Sequence, residues 1–340
     1  MDWLDFFGTF FATYLGVFLG IFIHILVHEA GHLVCGFLSG YRFVSFSFAS
    51  FVLVKSDGKL KLKRFGIAGA GGQCLMSPPK MVDGNFPVVW YNLGGGVFNF
   101  LLSGMFIALF ILLRGTLPYA GDFFLTSAVA GVLLGSYNLL PLKLGGLATD
   151  GHNLRSLMRS EKARRAFWLL LTSNARMALG ERSGDLPAEW FDFAEDYDFN
   201  GSVSGNVAAM GVSRHIDRHE FAEARVLAER ILSEGGKLIE VLKNEVRCEL
   251  LFLSIIGEPS GAGIDAVAWL YTPQLKKYIE QSKTHLSKRR LMYAYEKLVR
   301  RDGVKAAQAL EAFEKVCAVY PYAGDIEGER ELLGVVDKVV

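Results

Sequence analysis

Three long apolar stretches occupy the first part of the chain, and a mixed pattern of apolar and charged residues follows them. The stretches extend from Phe6 to Leu38, from Val88 to Leu113 and from Phe123 to Leu142. A run of about 20 apolar residues is long enough to cross the hydrocarbon core of a bilayer as a helix. The pattern therefore predicts three transmembrane helices.

A segment rich in β-forming residues, Tyr41 to Phe65, separates the first two stretches. It contains Asp57-Gly58, which favours a tight hairpin turn, and Leu60 to Lys63 alternate apolar and basic side chains as a half-exposed strand does. We predict a small membrane-associated β-hairpin here. The Gly-rich loop that follows, Gly66 to Pro87, matches neither a P-loop nor a dinucleotide-binding fingerprint. We interpret it as an irregular connector, and a loop that gates or lines an active site is the alternative.

Beyond residue 160 the apolar positions recur at the helical period, which predicts amphipathic helices. They are predicted at Phe221–Leu232, Lys237–Ile256, Leu275–Leu286, Arg289–Val299 and Val304–Tyr320. Ala309, Phe313, Val316 and Pro321 have the spacing of the second helix of a tetratricopeptide-type repeat, although a clean repeat period is missing. A paired-helix array and a plain helical bundle both remain open.

Charged residues are concentrated in the second part of the chain. Of the 36 Lys and Arg residues, 9 lie in residues 1–150 and 27 lie after residue 150. Of the 35 Asp and Glu residues, 7 lie in residues 1–150 and 28 lie after residue 150. This division predicts a mainly α protein with a polytopic membrane core at 1–158 and a soluble helical domain at 159–340. A net charge of +1 gives no reason to expect a nucleic-acid partner.

The cysteines and the N-terminus exclude some classes of protein. Cys35, Cys74, Cys248 and Cys317 lack CxxC spacing, which predicts free thiols and argues against a zinc knuckle or a disulfide framework. The chain start has no basic n-region, so no signal peptide is expected.

Basic residues near the predicted helix ends indicate the orientation. They follow the first apolar stretch (Lys55, Lys59, Lys61, Lys63, Arg64) and the third (Arg155, Arg159, Lys162, Arg164, Arg165). The positive-inside rule then places the N-terminus outside and the C-terminal domain in the cytoplasm. We expect an integral protein of the bilayer, with a bacterial cell membrane as the expected location.

The first apolar stretch contains an HExxH motif, His28-Glu29-Ala30-Gly31-His32. On a helix, His28 and His32 lie one turn apart on the same face, where both imidazoles can bind one zinc ion. Glu29 then lies beside the metal, where it can take a proton from a bound water. Ionisable side chains are costly at membrane depth, so their presence indicates a function.

A catalytic zinc site needs a third protein ligand. Asp150 is the only acidic residue between Asp122 and Glu161, and it follows Pro141 and Gly145-Gly146, which are expected to break the helix at the end of the third apolar stretch. An unpaired carboxylate at such a position is costly, and a metal ion relieves that cost. The sequence therefore predicts Asp150 as the third ligand.

Other histidines provide alternatives. His152 is a possible substitute ligand, and His24, one turn before the HExxH motif, fits better as a buried hydrogen-bonding histidine close to the site. His215 and His219 are spaced i, i+4 in the charged helical region, where exposed histidines are common and a third ligand is not in view.

These motifs resemble the site-2 protease family of intramembrane zinc metalloproteases. The resemblance covers roughly residues 10–158 and rests on HEAGH in the first stretch, Gly94-Gly95-Gly96-Val97-Phe98-Asn99 in the second, and Asn138-Leu139-Leu140-Pro141 followed by Thr149-Asp150-Gly151 in the third. The chain departs from the family pattern where Thr149 replaces the Leu of Leu-Asp-Gly. The segment between Pro141 and Asp150 is also a few residues longer.

The resemblance implies a function and a set of roles. Zinc is held by His28, His32 and Asp150. Glu29 acts as the general base, and Asn99 contacts the substrate backbone or the developing oxyanion. The hairpin presents the substrate as an added strand. We therefore expect an endopeptidase that cleaves single-span membrane proteins by means of a metal-activated water.

Two other functions are compatible with parts of the sequence. A membrane-anchored adaptor would bind a protein partner through its helical domain and keep a vestigial zinc site. A transporter is disfavoured by three spans without repeat symmetry. In an enzyme too, the helical domain is a candidate surface for a protein partner.

Overall fold

The computed structural model describes residues 3–56, 59–64, 71–144, 147–257 and 267–339. The chain is 71% helical, with three apolar helices of membrane-spanning length and a small four-stranded antiparallel sheet. It divides into two compact units, 1–53 with 69–164 and 54–68 with 165–340. The predicted boundary between residues 158 and 159 stays a prediction.

Three apolar helices are present where the hydrophobic pattern predicts them. They are α1 (Trp3–Leu38), α2 (Val89–Leu113) and α3 (Pro118–Leu139), and each is long and apolar enough to cross a membrane. The start of α3 precedes the predicted one, because a proline such as Pro118 suits the first helical turn. The helix ends at Leu139 because Pro141 disfavours helical geometry at Leu140, whose ψ is 138°.

The helices α1 and α3 approach each other closely at two glycines. A Cβ atom at Gly16 would lie 2.6 Å from the carbonyl oxygen of Phe123, and one at Gly20 would lie 2.8 Å from Ser127 Oγ. The Ser127 hydroxyl donates a hydrogen bond of 2.8 Å to the Gly16 carbonyl. Small residues of this kind let apolar helices come close enough to exchange such bonds.

A four-stranded sheet occupies the region of the predicted hairpin. Its strands are β1 (Arg42–Phe48), β2 (Phe51–Ser56), β3 (Lys59–Arg64) and β4 (Gly72–Ser77), in the order β3-β2-β1-β4. The chain turns from β1 to β2 at Ala49, which has a φ of 52°. Strands β2 and β3 flank Asp57-Gly58, and this predicted turn itself lies outside the described residues. The predicted hairpin is therefore part of a larger sheet.

Strand β4 forms one edge of the sheet. It pairs antiparallel with β1, from Arg42 opposite Ser77 to Phe48 opposite Gly72. The sequence interpretation of this region as an irregular connector is wrong for Gly72–Ser77. This strand begins with Gly and contains no β-branched or aromatic residue, so its pairing with β1 and not its own strand propensity defines it.

A short ladder and two helices follow α3. The ladder pairs β5 (Lys143–Leu144) with β6 (Leu147–Ala148), and the helices are α4 (Asp150–Arg159) and α5 (Glu161–Ala178). The α3–α4 connection is therefore a folded return of the chain and not an extended loop.

The remaining helices build the second unit around an apolar core. They are α6 (Ser202–Asp217), α7 (Phe221–Glu234), α8 (Glu240–Gly257), α9 (Pro273–Gln281), α10 (Leu286–Ala294), α11 (Gly303–Cys317) and α12 (Ala323–Lys338). Ala228, Leu251, Phe252 and Phe313 are fully buried in this core. The predicted amphipathic helices are present, although α9 ends at Gln281, before the predicted Leu286. The four cysteines are free and buried.

Candidate metal centre

Three side chains from two helices converge on one point. His28 Nε2 and His32 Nε2, one turn apart on α1, are 3.1 Å from each other. Asp150 Oδ2 lies 3.2 Å from the first of these atoms and 3.4 Å from the second. The side chains are shielded from solvent, with both histidines 12% and Asp150 20% exposed. The structure thus brings together the three ligands that the sequence predicts.

The donor set fits a tetrahedral metal ion. Ligands about 2.0–2.1 Å from a tetrahedral zinc ion lie about 3.3–3.4 Å from one another, close to the spacing found here. Asp150 Oδ2 is buried and has no hydrogen-bond partner of normal geometry. In the part of the chain that the structure describes, no other group of three His, Cys, Asp or Glu side chains converges in this way. The His28, His32 and Asp150 group could therefore hold a metal ion.

Asp150 is placed by the folded return between α3 and α4. The Thr149 hydroxyl donates to the Leu140 carbonyl at 2.6 Å, and the backbone N–H of Thr149 donates to the Leu142 carbonyl at 3.1 Å. The same hydroxyl caps α4 by accepting a bond from the His152 N–H at 3.3 Å. Asp150 is consequently the first residue of α4, where the helix dipole favours a carboxylate. Thr149, which stands before Asp-Gly where the pattern of the resembled family has Leu, thus has a structural role.

Gly151 lets the start of α4 lie against the end of α3. A Cβ atom at this position would lie 2.0 Å from the carbonyl oxygen of Leu139. Only glycine fits such a contact, because ordinary Cβ atoms stay beyond about 3 Å from a neighbouring oxygen. The Asp-Gly pair therefore combines a ligand with the residue that brings this ligand close to α1.

Each glycine of the Gly94-Gly95-Gly96 triplet faces a different part of the site. Gly94 crosses Gly31 of the HExxH motif, where a Cβ on either residue would lie 2.3–2.4 Å from the other's carbonyl oxygen. A Cβ at Gly95 would lie 2.3 Å from the His28 ring, and one at Gly96 would lie 2.4 Å from the Leu139 side chain. The triplet therefore lets α2 pack closely against α1, which carries His28 and His32, and against α3, which precedes Asp150. Sequence reasoning noted the triplet but not these three contacts.

The second nitrogen of each imidazole has a partner on α2. His32 Nδ1 donates to the Tyr91 carbonyl at 2.7 Å, which leaves Nε2 free to act as a ligand. His28 Nδ1 lies 3.3 Å from the Asn99 side-chain amide, whose other end lies 3.3 Å from His24 Nδ1. His24 is fully buried, in agreement with its predicted role as a buried hydrogen-bonding histidine.

Asn99 lies on α2 between two histidines of α1. It is 1% exposed, and both ends of its amide face imidazole rings. The Asn99 amide is thus engaged behind His28, on the side away from the ligand atoms, and its contact with the substrate backbone or an oxyanion stays a prediction.

Glu29 faces strand β4. The backbone of Cys74 hydrogen-bonds to the Glu29 carboxylate, and a Cβ at Gly72 would lie 2.8 Å from Glu29 Cγ. Strand β4, which belongs to the Gly-rich segment, therefore lies beside Glu29, and the alternative that this segment lines an active site stays a prediction. Burial, together with the negative charge of Glu29, raises the pKa of the Cys74 thiol to about 12, so this cysteine is not a thiolate at neutral pH.

Asp150 is held in its ionised form. Burial alone would raise the pKa of this carboxyl, but the close approach of the His28 and His32 imidazoles outweighs burial and holds the pKa well below its usual range. A carboxylate that stays charged at neutral pH is the form that binds a cation.

The other candidate histidines lie outside the group. His152 is not among the converging ligands of the described residues. His215 Nδ1 is 2.7 Å from Glu220 Oε2, and His219 stacks on Phe221. Among the described residues, His215 and His219 belong to no group of three converging ligands.

Comparison with known proteins yields no relative. No protein-family model matches the chain, and neither a curated protein nor a solved structure matches it significantly. Any assignment of function therefore rests on the residues and geometry described above.

Proposed function

We propose that this chain is an intramembrane zinc metalloprotease of the site-2 protease type. The observation that carries the proposal is the convergence of His28, His32 and Asp150 beside Glu29, within a bundle of three apolar helices. A ligand set of two imidazoles and one carboxylate is typical of catalytic zinc, because it leaves a coordination position for water or substrate. Calcium and magnesium prefer all-oxygen ligands, so they fit this set less well.

The roles of the residues follow from their positions. A zinc ion bound by the three ligands would polarise the scissile carbonyl and lower the pKa of a water molecule towards neutrality. Glu29 takes the proton of the attacking water and returns it to the amine of the cleaved bond. The Cys74 backbone orients the Glu29 carboxylate, and the Tyr91 carbonyl orients His32.

Strand β4 is the proposed docking edge for the substrate. A substrate helix keeps its carbonyls hydrogen-bonded, so it must unwind before hydrolysis and pair its backbone with another element. The sequence suggests the hairpin Phe43 to Lys63 for this purpose. β4 serves better, because it is an edge strand and Gly72 and Cys74 lie against Glu29.

The same proposal extends to location and partners. The three apolar helices span a bilayer with the N-terminus outside, and the helical unit lies in the cytoplasm, as the distribution of basic residues favours. The substrates are single-span membrane proteins. The helical unit, arranged as a tetratricopeptide-like array, recruits a protein partner.

Metal analysis of the purified chain tests the proposal against the adaptor alternative. We expect close to one zinc ion per chain in wild type and in Glu29→Gln, and loss of zinc in His28→Ala. Glu29→Gln keeps zinc because this side chain is not a ligand. A wild-type chain that contains no zinc, and gains none on incubation with it, would refute the enzyme and favour the adaptor.

A further inference from the structure

Three polar side chains form a line inside the helix bundle. The Asn99 amide lies between His24 and His28, with Oδ1 3.3 Å from His24 Nδ1 and Nδ2 3.3 Å from His28 Nδ1. His24 is 0% and Asn99 1% exposed, and the Phe106 ring packs edge-on against His24 at 5.8 Å. Most buried polar groups are hydrogen-bonded, so the partner that faces each Nδ1 atom bears on which ring nitrogen carries the proton.

Two glycines make room for the two rings. A Cβ at Gly131 of α3 would lie 2.0 Å from His24 Cε1, and a Cβ at Gly95 of α2 would lie 2.3 Å from His28 Cε1. Any larger residue at either place would push an imidazole out of the line. The arrangement thus depends on all three helices of the bundle.

Metal binding by His28 imposes a direction on this line of hydrogen bonds. A neutral imidazole that offers the Nε2 lone pair to a metal carries its proton on Nδ1, and this N–H needs an acceptor. The Asn99 amide supplies one if its oxygen faces His28. Because both contacts are 3.3 Å, a rotation of the amide by 180° exchanges oxygen and nitrogen at equal distances.

The rotated amide then fixes the tautomer of His24. Its nitrogen donates towards His24 Nδ1, which must be an acceptor, so the proton of His24 resides on Nε2. We propose that Asn99 and His24 are positioning residues that hold His28 in the Nδ1–H tautomer and thereby present its Nε2 to the metal ion. His32 has no need of such a pair, because the Tyr91 carbonyl accepts its Nδ1–H directly.

This inference rests on the metal site of the proposed function, and its test measures metal affinity and not proteolysis. Zinc dissociation constants would be determined in detergent by competition with a chromophoric chelator, and cobalt would report the ligand geometry through its visible spectrum. The variants are Asn99→Ala, Asn99→Asp, His24→Ala and the control Asn92→Ala. Asn92 is a matched control because it is also a buried asparagine of α2, but it bonds to the Val88 carbonyl at 2.7 Å and not to a ligand.

The expected results separate positioning from packing. Asn99→Ala should weaken zinc binding by about 10–100-fold, the usual effect of losing a hydrogen bond to a ligating histidine, and should shift the cobalt bands. His24→Ala should weaken binding less, by a few-fold to about tenfold, because the amide keeps its contact with His28 but loses its orientation. Asn99→Asp should restore most of the affinity, because a carboxylate accepts the His28 Nδ1–H. Asn92→Ala should bind as wild type does.

Several outcomes would overturn the inference. Wild-type affinity in folded Asn99→Ala would do so, as would failure of Asn99→Asp to improve on Asn99→Ala, or an equal loss in Asn92→Ala. If Asn99→Ala does not fold, His24→Ala tests the same line from its far end, and undiminished affinity there refutes it. A wild-type chain that binds neither zinc nor cobalt would instead refute the metal site itself.

Discussion

Replacement of Gly151 by alanine should remove Asp150 from the metal centre without touching any ligand. An alanine Cβ at this position would lie 2.0 Å from the Leu139 carbonyl oxygen, with further backbone atoms of Leu139 and Leu140 within 3.0 Å. These neighbours are backbone and cannot rotate away. The start of α4 must therefore shift by about 1 Å to reach a normal contact distance.

The size of the effect follows from the tolerance of a metal site. Ligand distances in such sites vary by only about 0.2 Å, so a shift of about 1 Å takes the Asp150 carboxylate out of bonding range. We expect zinc affinity to fall by at least about 100-fold, equivalent to about 2.7 kcal/mol. Competition titration of zinc against a chelator measures this change.

Gly104→Ala provides the matched control. Gly104 lies on α2, and a Cβ there meets no atom within 4 Å, so this variant should bind zinc as wild type does. If Gly151→Ala binds zinc with wild-type affinity while it remains folded, the close contact between α3 and α4 does not position Asp150, and the reasoning is wrong.

Three further predictions concern the ligand, its support and the helical unit. Asp150→Ala should lose zinc while His152→Ala keeps it, and elemental analysis that shows the reverse pattern would make His152 the ligand. Thr149→Val keeps the shape of the side chain but removes the hydroxyl that bonds to the Leu140 carbonyl and caps α4. Zinc affinity should therefore fall by about tenfold in a chelator competition titration, whereas Thr149→Ser should bind zinc nearly as wild type does. In the helical unit, burial raises the pKa of Glu329 to about 7 from an unfolded value of 4.5. Between these values the folded chain holds a proton that the unfolded chain releases, so stability falls as the pH rises from about 4.5 to about 7. Glu329→Gln should flatten this fall in thermal melts of the full-length protein at pH 5 and pH 8, and an unchanged pH dependence would contradict the assignment.

The features that local pattern determines could be predicted from the sequence. The three apolar helices follow from the length of the hydrophobic stretches, and the placement of His28 and His32 on one face follows from helical geometry. Asp150 could be singled out because an acidic residue at the end of an apolar stretch is rare. Its approach to the two histidines, however, depends on Thr149 and Gly151.

The features that depend on tertiary contacts could not be predicted. Strand β4 has weak strand propensity, and only its pairing with β1 and its contact with Glu29 give it a role. The position of Asn99 behind His28 depends on the rotation of α2 relative to α1, which hydrophobic periodicity does not specify when a helix is apolar on all sides. The close approaches at Gly31 and Gly94 are also invisible in a single sequence, although a glycine triplet within an apolar helix is a signal of tight packing.

Intramembrane proteolysis by this chain can be tested by comparing the membrane-retained protein fragments of cells that carry wild type or Glu29→Gln. Single-span substrates should be cut in wild-type cells, and their uncut forms should accumulate in the membranes of Glu29→Gln cells although the variant protein retains its zinc. Identical fragment profiles in the two strains, or cleavage that persists in Glu29→Gln, would contradict it.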